Sequence, residues 1–498
     1  MFNFAESYIF YTFTAKLKDF QIMSEIVGRK KEIELLQQIV ESNEPEFVAV
    51  YGRRRVGKTF LIKQFFNEKF TFYFSGSENS TMKTQLENFR NAFQRYFNML
   101  IPMPENWTTA FEMLRQQIEH SRKKGRKIIF IDEMPWLATM GSNFMQAFEY
   151  WWNTYASSNP DILLIVCGSS TSWMLNKIIK NRGGLHNRVT YQIPLQPFSL
   201  KECAEYAEKR KMKLDNNQLL DYYMLLGGIP YYWRQLDRTL GLPHNIDNLF
   251  FKDKATLKDE FNNIYNSLFR NSEKYILLII ALSEKRMGLL RDEIVEFSKL
   301  PDGGAITKML EELEQCGFIR SYYAFGKRRK EKIYQLIDLF SLFYLNFIFG
   351  KNNSDENFWT NSFRTPFVNS WRGYAFEQVC LWHILQIKHK LGISGVSTTH
   401  STWRHIDKET KKIIAQIDLV LDRNDRVINL CEMKYSNVEY EITNNYNNTL
   451  RERYAIFSDE TKTQKAIHTT MITTLGVKRN MYWGNIQSEI KLDDLLQF

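Results

Sequence analysis

Short apolar runs alternate with amphipathic segments along the first part of the chain. The runs at residues 47–51, 128–131 and 162–167 are short and apolar, as expected for buried parallel strands. A segment of helical spacing, residues 30–36, precedes the first run, and further helical segments separate the others. This alternation predicts a parallel sheet with helices on both faces over residues 24–200.

The pattern changes after this predicted sheet domain. Residues 201–268 have helical spacing and are expected to form a small helical lid, interrupted by the glycine pair at 227–228. Residues 269–350 contain three helical segments followed by a basic hairpin, which is typical of a winged helix. The polar, Asn-rich stretch 351–362 predicts a linker, and alternating strands appear between residues 395 and 435.

The loop after the first predicted strand carries a phosphate-binding motif. Residues 52–59 fit G-x-x-x-x-G-K-[ST] without a mismatch, in the strand–loop–helix context that the motif requires. Its backbone N–H groups would surround phosphate oxygens, Lys58 would reach the β- and γ-phosphates, and Thr59 would bind Mg²⁺. The sequence therefore predicts an ATP site formed by Gly52, Arg53, Arg54, Arg55, Val56, Gly57, Lys58 and Thr59.

Two adjacent carboxylates end the second apolar run. Asp132 is expected to hold the Mg²⁺ shell and Glu133 to polarise the attacking water. The alternative is a helix cap at the end of a strand, because Pro135 follows closely. After the third run, the polar residues 169–171 predict either a sensor of the γ-phosphate or a helix N-cap.

Composition limits the partners and the compartment. The net charge of +10 and pI near 9.0 are compatible with DNA as a partner, although basic charge also serves solubility. Five scattered cysteines without C-x-x-C spacing argue against a disulfide framework or zinc site and fit a reducing cytoplasm. No apolar run is long enough to span a membrane, and residues 1–23 lack signal-peptide features. We expect a cytoplasmic protein with an N-terminal extension at residues 1–23.

The predicted winged helix gives conflicting indications about DNA. The basic turn formed by Lys327, Arg328, Arg329 and Lys330 suits phosphate. The helix at 305–315 instead places three glutamates, Glu311, Glu312 and Glu314, where a recognition helix would meet an anionic groove. The segment is predicted either to contact DNA weakly or to dock internally.

Several motifs together resemble a known family. GRRRVGKT, IIFIDE and the VGRKKE segment resemble the AAA+-related P-loop ATPases, particularly the archaeal-type family near the STAND and origin-recognition-like groups. LLGGIPYY and the stretch from Gly184 to Arg188 also look like that family, and the resemblance covers roughly residues 24–340. It implies that Arg188 is an arginine finger, acting in cis or on a neighbouring copy in a homo-oligomer. Members often carry a C-terminal domain similar to PD-(D/E)XK nucleases.

Four polar residues of the C-terminal region match that nuclease pattern. Glu432 and Lys434 are two apart on a predicted strand, so their side chains share a face, and a hairpin would bring Asp418 close. Glu377, on a predicted helix, would add a fourth group. Asp418 and Glu432 would hold Mg²⁺ while Lys434 orients water at a scissile phosphate. The alternative is a salt-bridge ladder on an ordinary sheet.

The sequence thus predicts an α/β fold class: a P-loop NTPase parallel sheet with a helical lid, a winged-helix domain and a restriction-endonuclease-like C-terminal domain at residues 351–498. Two functions follow from it. In the first, ATP binding and hydrolysis control a Mg²⁺-dependent DNA nuclease. In the second, the chain is a STAND-like switch whose C-terminal domain docks a protein or DNA partner without catalysis.

Overall fold

The computed structural model describes residues 26–121, 125–326, 331–351, 355–407, 409–410 and 412–497. The predicted N-terminal extension and the basic turn at 327–330 lie outside the described residues. The chain divides into two compact units, the first ending at Pro197 and the second starting at Phe198.

A five-stranded parallel sheet forms the centre of the first unit, and it confirms the predicted parallel α/β sheet. Its strands are β1 (Glu46–Tyr51), β2 (Phe72–Ser75), β3 (Lys127–Asp132), β4 (Ile162–Gly168) and β5 (Tyr191–Pro194). Their order across the sheet is β2-β3-β4-β1-β5, so β4 separates β1 from β3. Every residue of β4 is buried, as expected for a central parallel strand.

Helices cover this sheet and close a core rich in aromatic side chains. They are α1 (Lys30–Glu41), α2 (Lys58–Phe65), α3 (Met82–Phe97), α4 (Trp107–His120), α5 (Phe144–Thr154) and the short α6 (Thr171–Trp173). The side chains of Thr81 and Asn106 cap α3 and α4 by accepting backbone N–H bonds, which satisfies donors that a helix start leaves unpaired.

The second unit begins with helices, where the sequence predicts a lid. They are α7 (Leu200–Lys209), α8 (Asn216–Leu226), α9 (Pro230–Arg234), α10 (Leu242–Ile246) and α11 (Glu260–Leu268). The glycine pair lies between α8 and α9 and allows the backbone to approach Phe198 closely. A Cβ on Gly228 would lie 1.8 Å from the carbonyl oxygen of Phe198, so a larger residue does not fit there.

Three helices and a small antiparallel sheet follow. They are α12 (Ser272–Ser283), β6 (Leu289–Leu290), α13 (Arg291–Ser298), α14 (Gly304–Gln315), β7 (Ile319–Tyr323) and β8 (Lys332–Leu336), with the strands ordered β6-β8-β7. The apolar helix α15 (Leu339–Phe347) comes next, and its side chains are largely buried.

A mixed five-stranded sheet occupies the C-terminal part. The elements are α16 (Phe358–Ser362), α17 (Pro366–Trp382), α18 (Ile384–Lys390), β9 (Thr398–Ile406), β10 (Ile413–Arg423), β11 (Val427–Lys434), α19 (Asn444–Thr461), β12 (Ala466–Thr473), β13 (Ser488–Ile490) and α20 (Leu492–Leu495). The order is β13-β12-β11-β10-β9. β9, β10 and β11 pair antiparallel, whereas β11, β12 and β13 pair parallel.

The linker predicted at residues 351–362 is wrong in its second half. Residues 358–362 form α16, and Trp359 is almost fully buried. The buried carboxylate of Asp247 accepts hydrogen bonds from the backbone N–H groups of Trp359 (2.7 Å) and Thr360 (3.1 Å). These bonds satisfy donors at the start of α16 and fix the segment against the lid helices.

In the part of the chain that the structure describes, no helix has both the length and the apolar character needed to cross a membrane.

Candidate functional site

The loop between β1 and α2 follows a path that requires glycine at two motif positions. Gly52 has φ 147°, and a Cβ there would lie 2.2 Å from the carbonyl oxygen of Leu195. Gly57 has φ 94°, a left-handed conformation immediately before α2. The loop therefore wraps tightly, and the backbone N–H groups at the start of α2 are directed to the space it encloses.

Lys58 lies inside this loop. Its side chain is buried, and its ammonium group donates to the carbonyl oxygens of Gly52 and Arg53, both at 2.9 Å. A buried ammonium group is costly unless it has acceptors, and phosphate oxygens are stronger acceptors than carbonyls. The geometry thus suits a phosphate chain.

The other variable positions of the loop differ in exposure. Arg53 and Val56 are buried, whereas Arg54 is partly exposed and pairs with Glu78 at 3.6 Å. Arg55 adopts a left-handed φ of 70°. Arg29, from the residues before α1, donates to the carbonyl oxygen of Val56 at 3.1 Å and so supports the loop from outside.

Thr59 and Asp132 meet at the carboxyl edge of the sheet. The Thr59 hydroxyl donates to Asp132 Oδ2 at 2.9 Å. Burial, followed by the neighbouring Glu133 charge, raises the pKa of Asp132, and the Thr59 hydroxyl opposes that rise. A hydroxyl and a carboxylate beside a phosphate-binding loop are oxygen donors of the type that Mg²⁺ prefers, so these two residues fit the ion.

Glu133 is held by a residue of the neighbouring strand end. Its backbone is left-handed, with φ 45°, and its Oε2 accepts from Ser169 N (3.0 Å) and Ser169 Oγ (2.8 Å). Ser169 directly follows β4, which pairs with β3. The N-cap residue of α6, Ser170, makes no side-chain cap bond. Ser169 therefore positions the predicted catalytic carboxylate, a role that the sequence did not indicate.

Arg188 lies apart from these groups. It is exposed in the turn before β5, where its backbone N–H donates to Leu185 O at 3.1 Å. Among the described residues, no hydrogen bond or ion pair joins its side chain to the P-loop. Its role as an arginine finger stays a prediction.

In the second unit, the structure brings the four predicted nuclease residues together. β10 and β11 form the predicted hairpin, with Leu419 opposite Cys431, so the preceding Asp418 faces Glu432. α17 packs against β11 and carries Glu377. Lys434 Nζ lies 3.8 Å from Glu432 Oε2.

The carboxylates of this cluster affect each other. Burial and the Asp418 charge raise the pKa of Glu377 to about 8, while Lys434 and Arg286 oppose the rise. Burial and Asp418 also raise the pKa of Glu432, against the opposing charges of Arg453 and Lys434. The cluster therefore concentrates acidic groups in a place where water screens them poorly.

Sequence reasoning missed three residues of this cluster. Arg453 and Tyr446, both on α19, bind Glu432: Arg453 Nη1 lies 2.6 Å from each carboxylate oxygen, and the Tyr446 hydroxyl donates at 3.1 Å. Gln416 Nε2 donates to Asp418 Oδ1 at 3.1 Å. Gln416, two residues before Asp418, could have been found by its period-two spacing, but nothing in the sequence indicates the α19 pair.

The fit of Mg²⁺ to this cluster is incomplete. Asp418 and Glu432 supply the right type of oxygen, yet both Glu432 oxygens are engaged by Arg453. Among the described residues, no group of three or more His, Cys, Asp or Glu side chains is arranged to hold a metal ion. Binding of a metal here would require Arg453 to release Glu432.

The small antiparallel sheet contacts this C-terminal region. Just after β7, Phe325 N donates to Thr402 O on β9 at 2.9 Å, and its ring lies 5.2 Å from that of Phe457 on α19. Two of the three glutamates of α14 also have internal partners. Glu312 accepts from the Tyr275 hydroxyl, and Glu314 accepts from the Ser321 backbone at 2.9 Å. Internal docking, one of the two predicted roles, thus has contacts that support it.

The sheet order, the glycine loop after β1 and the two carboxylates at the end of β3 define the first unit as a P-loop ATPase. Residues 26–236 match the family model described as an ATPase domain predominantly from Archaea. This segment is therefore similar to the ATPase domains of that family.

Three similar proteins come from archaea. An uncharacterized protein of Methanocaldococcus jannaschii is 25% identical over 432 residues, covering 83% of this chain and 88% of the relative. An uncharacterized ATP-binding protein of the same organism is 49% identical over 43 residues, covering 9% of this chain and 73% of the relative. The solved structure of a Walker-type ATPase of Pyrococcus abyssi aligns with a TM-score of 0.48 and 18% identity, covering 65% of this chain and 96% of that one.

Proposed function

We propose that the ATPase cycle of this chain controls a Mg²⁺-dependent DNA nuclease site in its C-terminal domain. The observation that carries the proposal is the convergence of Glu377, Asp418, Glu432 and Lys434 from one helix and two strands. A surface salt-bridge ladder would pair opposite charges along exposed positions. Here Glu432 is almost fully buried and faces a second carboxylate.

In this proposal, four residues of the first unit do the work of the ATPase site. Lys58 would exchange its carbonyl partners for phosphate oxygens, and Thr59 with Asp132 would hold Mg²⁺, which neutralises developing phosphate charge. Glu133, oriented by Ser169, would polarise the attacking water. Arg188, on an exposed turn, would reach the nucleotide of a neighbouring copy in a homo-oligomer.

The nuclease proposal assigns a role to each member of the C-terminal cluster. Asp418 and Glu432 would hold Mg²⁺, which would supply Lewis-acid activation of the phosphate and of the attacking water. Lys434 would offset charge that develops on the phosphate, and Glu377 would accept a proton or bind water nearby. The helix–strand–helix–helix–hairpin order of residues 272–336 supports a winged helix that brings DNA to this site.

A second candidate function, the switch without catalysis, is favoured by one observation. Arg453 engages both oxygens of Glu432, which closes the cluster to a metal ion in the arrangement described. In that case ATP state would expose a docking surface of the C-terminal domain to a protein or DNA partner.

Cleavage assays separate the two functions. Purified full-length protein is incubated with plasmid and with single strands, in Mg²⁺ or Mn²⁺, with and without ATP. Asp418→Ala and Lys434→Ala should lose cleavage but keep ATP hydrolysis. Asp422→Ala is the matched control, since Asp422 lies on the same strand but pairs with Lys465 at 2.5 Å, and it should retain cleavage. Wild-type protein that cuts nothing under any condition would remove the nuclease proposal and leave the switch.

A further inference from the structure

The turn between α12 and β6 lies against the helix that supplies Glu377. Arg286, an exposed residue of that turn, places its guanidinium over the ring of Tyr374, 5.2 Å from the centroid. Its Nη2 also donates to Ser370 Oγ at 3.4 Å. Ser370, Tyr374 and Glu377 are spaced four and three apart, so they share one face of α17. Arg286 therefore lies along the face that leads to the carboxylate cluster.

The backbone of this turn is fixed on several sides. The carbonyl oxygen of Arg286 accepts from the Tyr374 hydroxyl at 3.2 Å and from Gln335 Nε2 at 2.6 Å. The next residue, Met287, accepts a weak bond from Gln416 Nε2 at 3.4 Å, and the same amide donates to Asp418. The turn is thus tied both to α17 and to the strand that carries Asp418.

Arg286 differs from the other cations near the carboxylate cluster in its partners and its exposure. Two cations near the carboxylate cluster, Arg453 and Lys434, both pair with Glu432. Arg286 is near enough for its charge to act on Glu377, but its side chain stays exposed. A guanidinium that lies over an aromatic ring still has N–H donors at its edge. These donors lie in one plane, and their spacing fits the oxygens of a phosphate.

We propose that Arg286 binds a backbone phosphate of the DNA strand that enters the Asp418–Glu432 site. The segment 269–350 then supplies a substrate-binding residue to the C-terminal domain, in addition to any contact of its own basic turn. This inference rests on the proposed DNA-cleaving function. The competing explanation is structural: Arg286 would only clamp the turn onto Tyr374 and Ser370.

The salt dependence of DNA binding distinguishes these explanations. Binding of a fluorescein-labelled duplex to full-length protein is titrated over a range of salt concentrations, with EDTA present so that no cleavage occurs. Each phosphate that the protein neutralises adds about 0.9 to the steepness of log K against log[salt]. Arg286→Gln should therefore make the slope shallower by about that amount, and Arg286→Lys should restore it because the lysine retains the charge.

Lys285→Gln is the matched control, since Lys285 belongs to the same turn but pairs with Glu293 at 2.5 Å. It should leave the slope unchanged. A wild-type slope in Arg286→Gln, or an equal fall in Lys285→Gln, would overturn the assignment, and thermal unfolding of each variant excludes misfolding as the cause. Failure of wild-type protein to bind DNA at all would instead count against the proposed function itself.

Discussion

Removing the Ser169 hydroxyl tests how Glu133, the proposed catalytic carboxylate, is held. Ser169→Ala eliminates the bond from Oγ to Glu133 at 2.8 Å and keeps the backbone bond at 3.0 Å. A hydrogen bond to a charged group contributes about 1.5–3 kcal/mol. If that orientation is lost when water attacks the γ-phosphate, kcat should fall by about 10- to 150-fold. ATP affinity should stay near the wild-type value, because among the described residues the Ser169 side chain hydrogen-bonds to Glu133 and to no residue of the phosphate-binding loop.

The assay pairs phosphate release at saturating ATP with a fluorescent-nucleotide titration. Glu133→Gln sets the lower limit, since loss of a general base costs about 10²- to 10⁴-fold while binding persists. Ser172→Ala is the control, because the structure assigns the Ser172 side chain no hydrogen bond among the described residues. Wild-type kcat in Ser169→Ala beside an inactive Glu133→Gln would refute the positioning argument. Normal turnover in Glu133→Gln would remove Glu133 from catalysis.

Three further predictions address binding and stability. Lys58→Ala should abolish nucleotide binding in the same titration, since the loop N–H groups alone only partly neutralise the phosphates; retained affinity would contradict this. Changing residues 327–330 to Ser should weaken binding to all duplexes alike and flatten its salt dependence, whereas an unchanged slope would indicate internal docking. Burial lowers the pKa of His383 from 6.5 to about 4, and its Nε2 accepts from Leu200 N at 3.1 Å. Below about pH 6.5 the histidine is protonated in the unfolded chain but stays neutral in the folded one. The free energy of unfolding should therefore be unaffected by this residue above about pH 6.5 and should fall toward pH 4, by about 2 kcal/mol at pH 5. His383→Gln keeps an acceptor without titrating, so urea unfolding of this variant should show a weaker dependence on pH.

The nucleotide site was readable from sequence because its chemistry fixes local spacing. Glycines, lysine and threonine of a P-loop must follow one strand within eight positions, and Lys58 and Thr59 lie where that motif predicts. The hairpin that brings Asp418 to Glu432 was readable for a similar reason. A polar turn between two runs of period two determines which residues face each other.

Contacts between distant segments could not be read in this way. The bond from Ser169 to Glu133 depends on β4 pairing with β3, and sheet order follows from packing of whole helices and strands. Helix α16 was missed because the many polar residues of this stretch predicted an exposed linker. Whether such a stretch is buried depends on which other segment packs against it. The partner here is Asp247, far away in the chain, and Trp359 within the polar stretch was the available signal.

The ion pair between Arg453 and Glu432 bears on both candidate functions, because a metal ion can bind Glu432 only if this pair opens. A carboxylate as buried as Glu432 needs a countercharge, and separating a buried pair by removing one partner costs about 3–5 kcal/mol. Mg²⁺ can provide that countercharge only if Arg453 finds another acceptor when it leaves. A phosphate of bound DNA is such an acceptor, so metal and DNA would each favour binding of the other at this site. Without DNA the Arg453–Glu432 pair stays closed, which means that weak metal binding by the free protein is compatible with a nuclease and does not by itself support the switch.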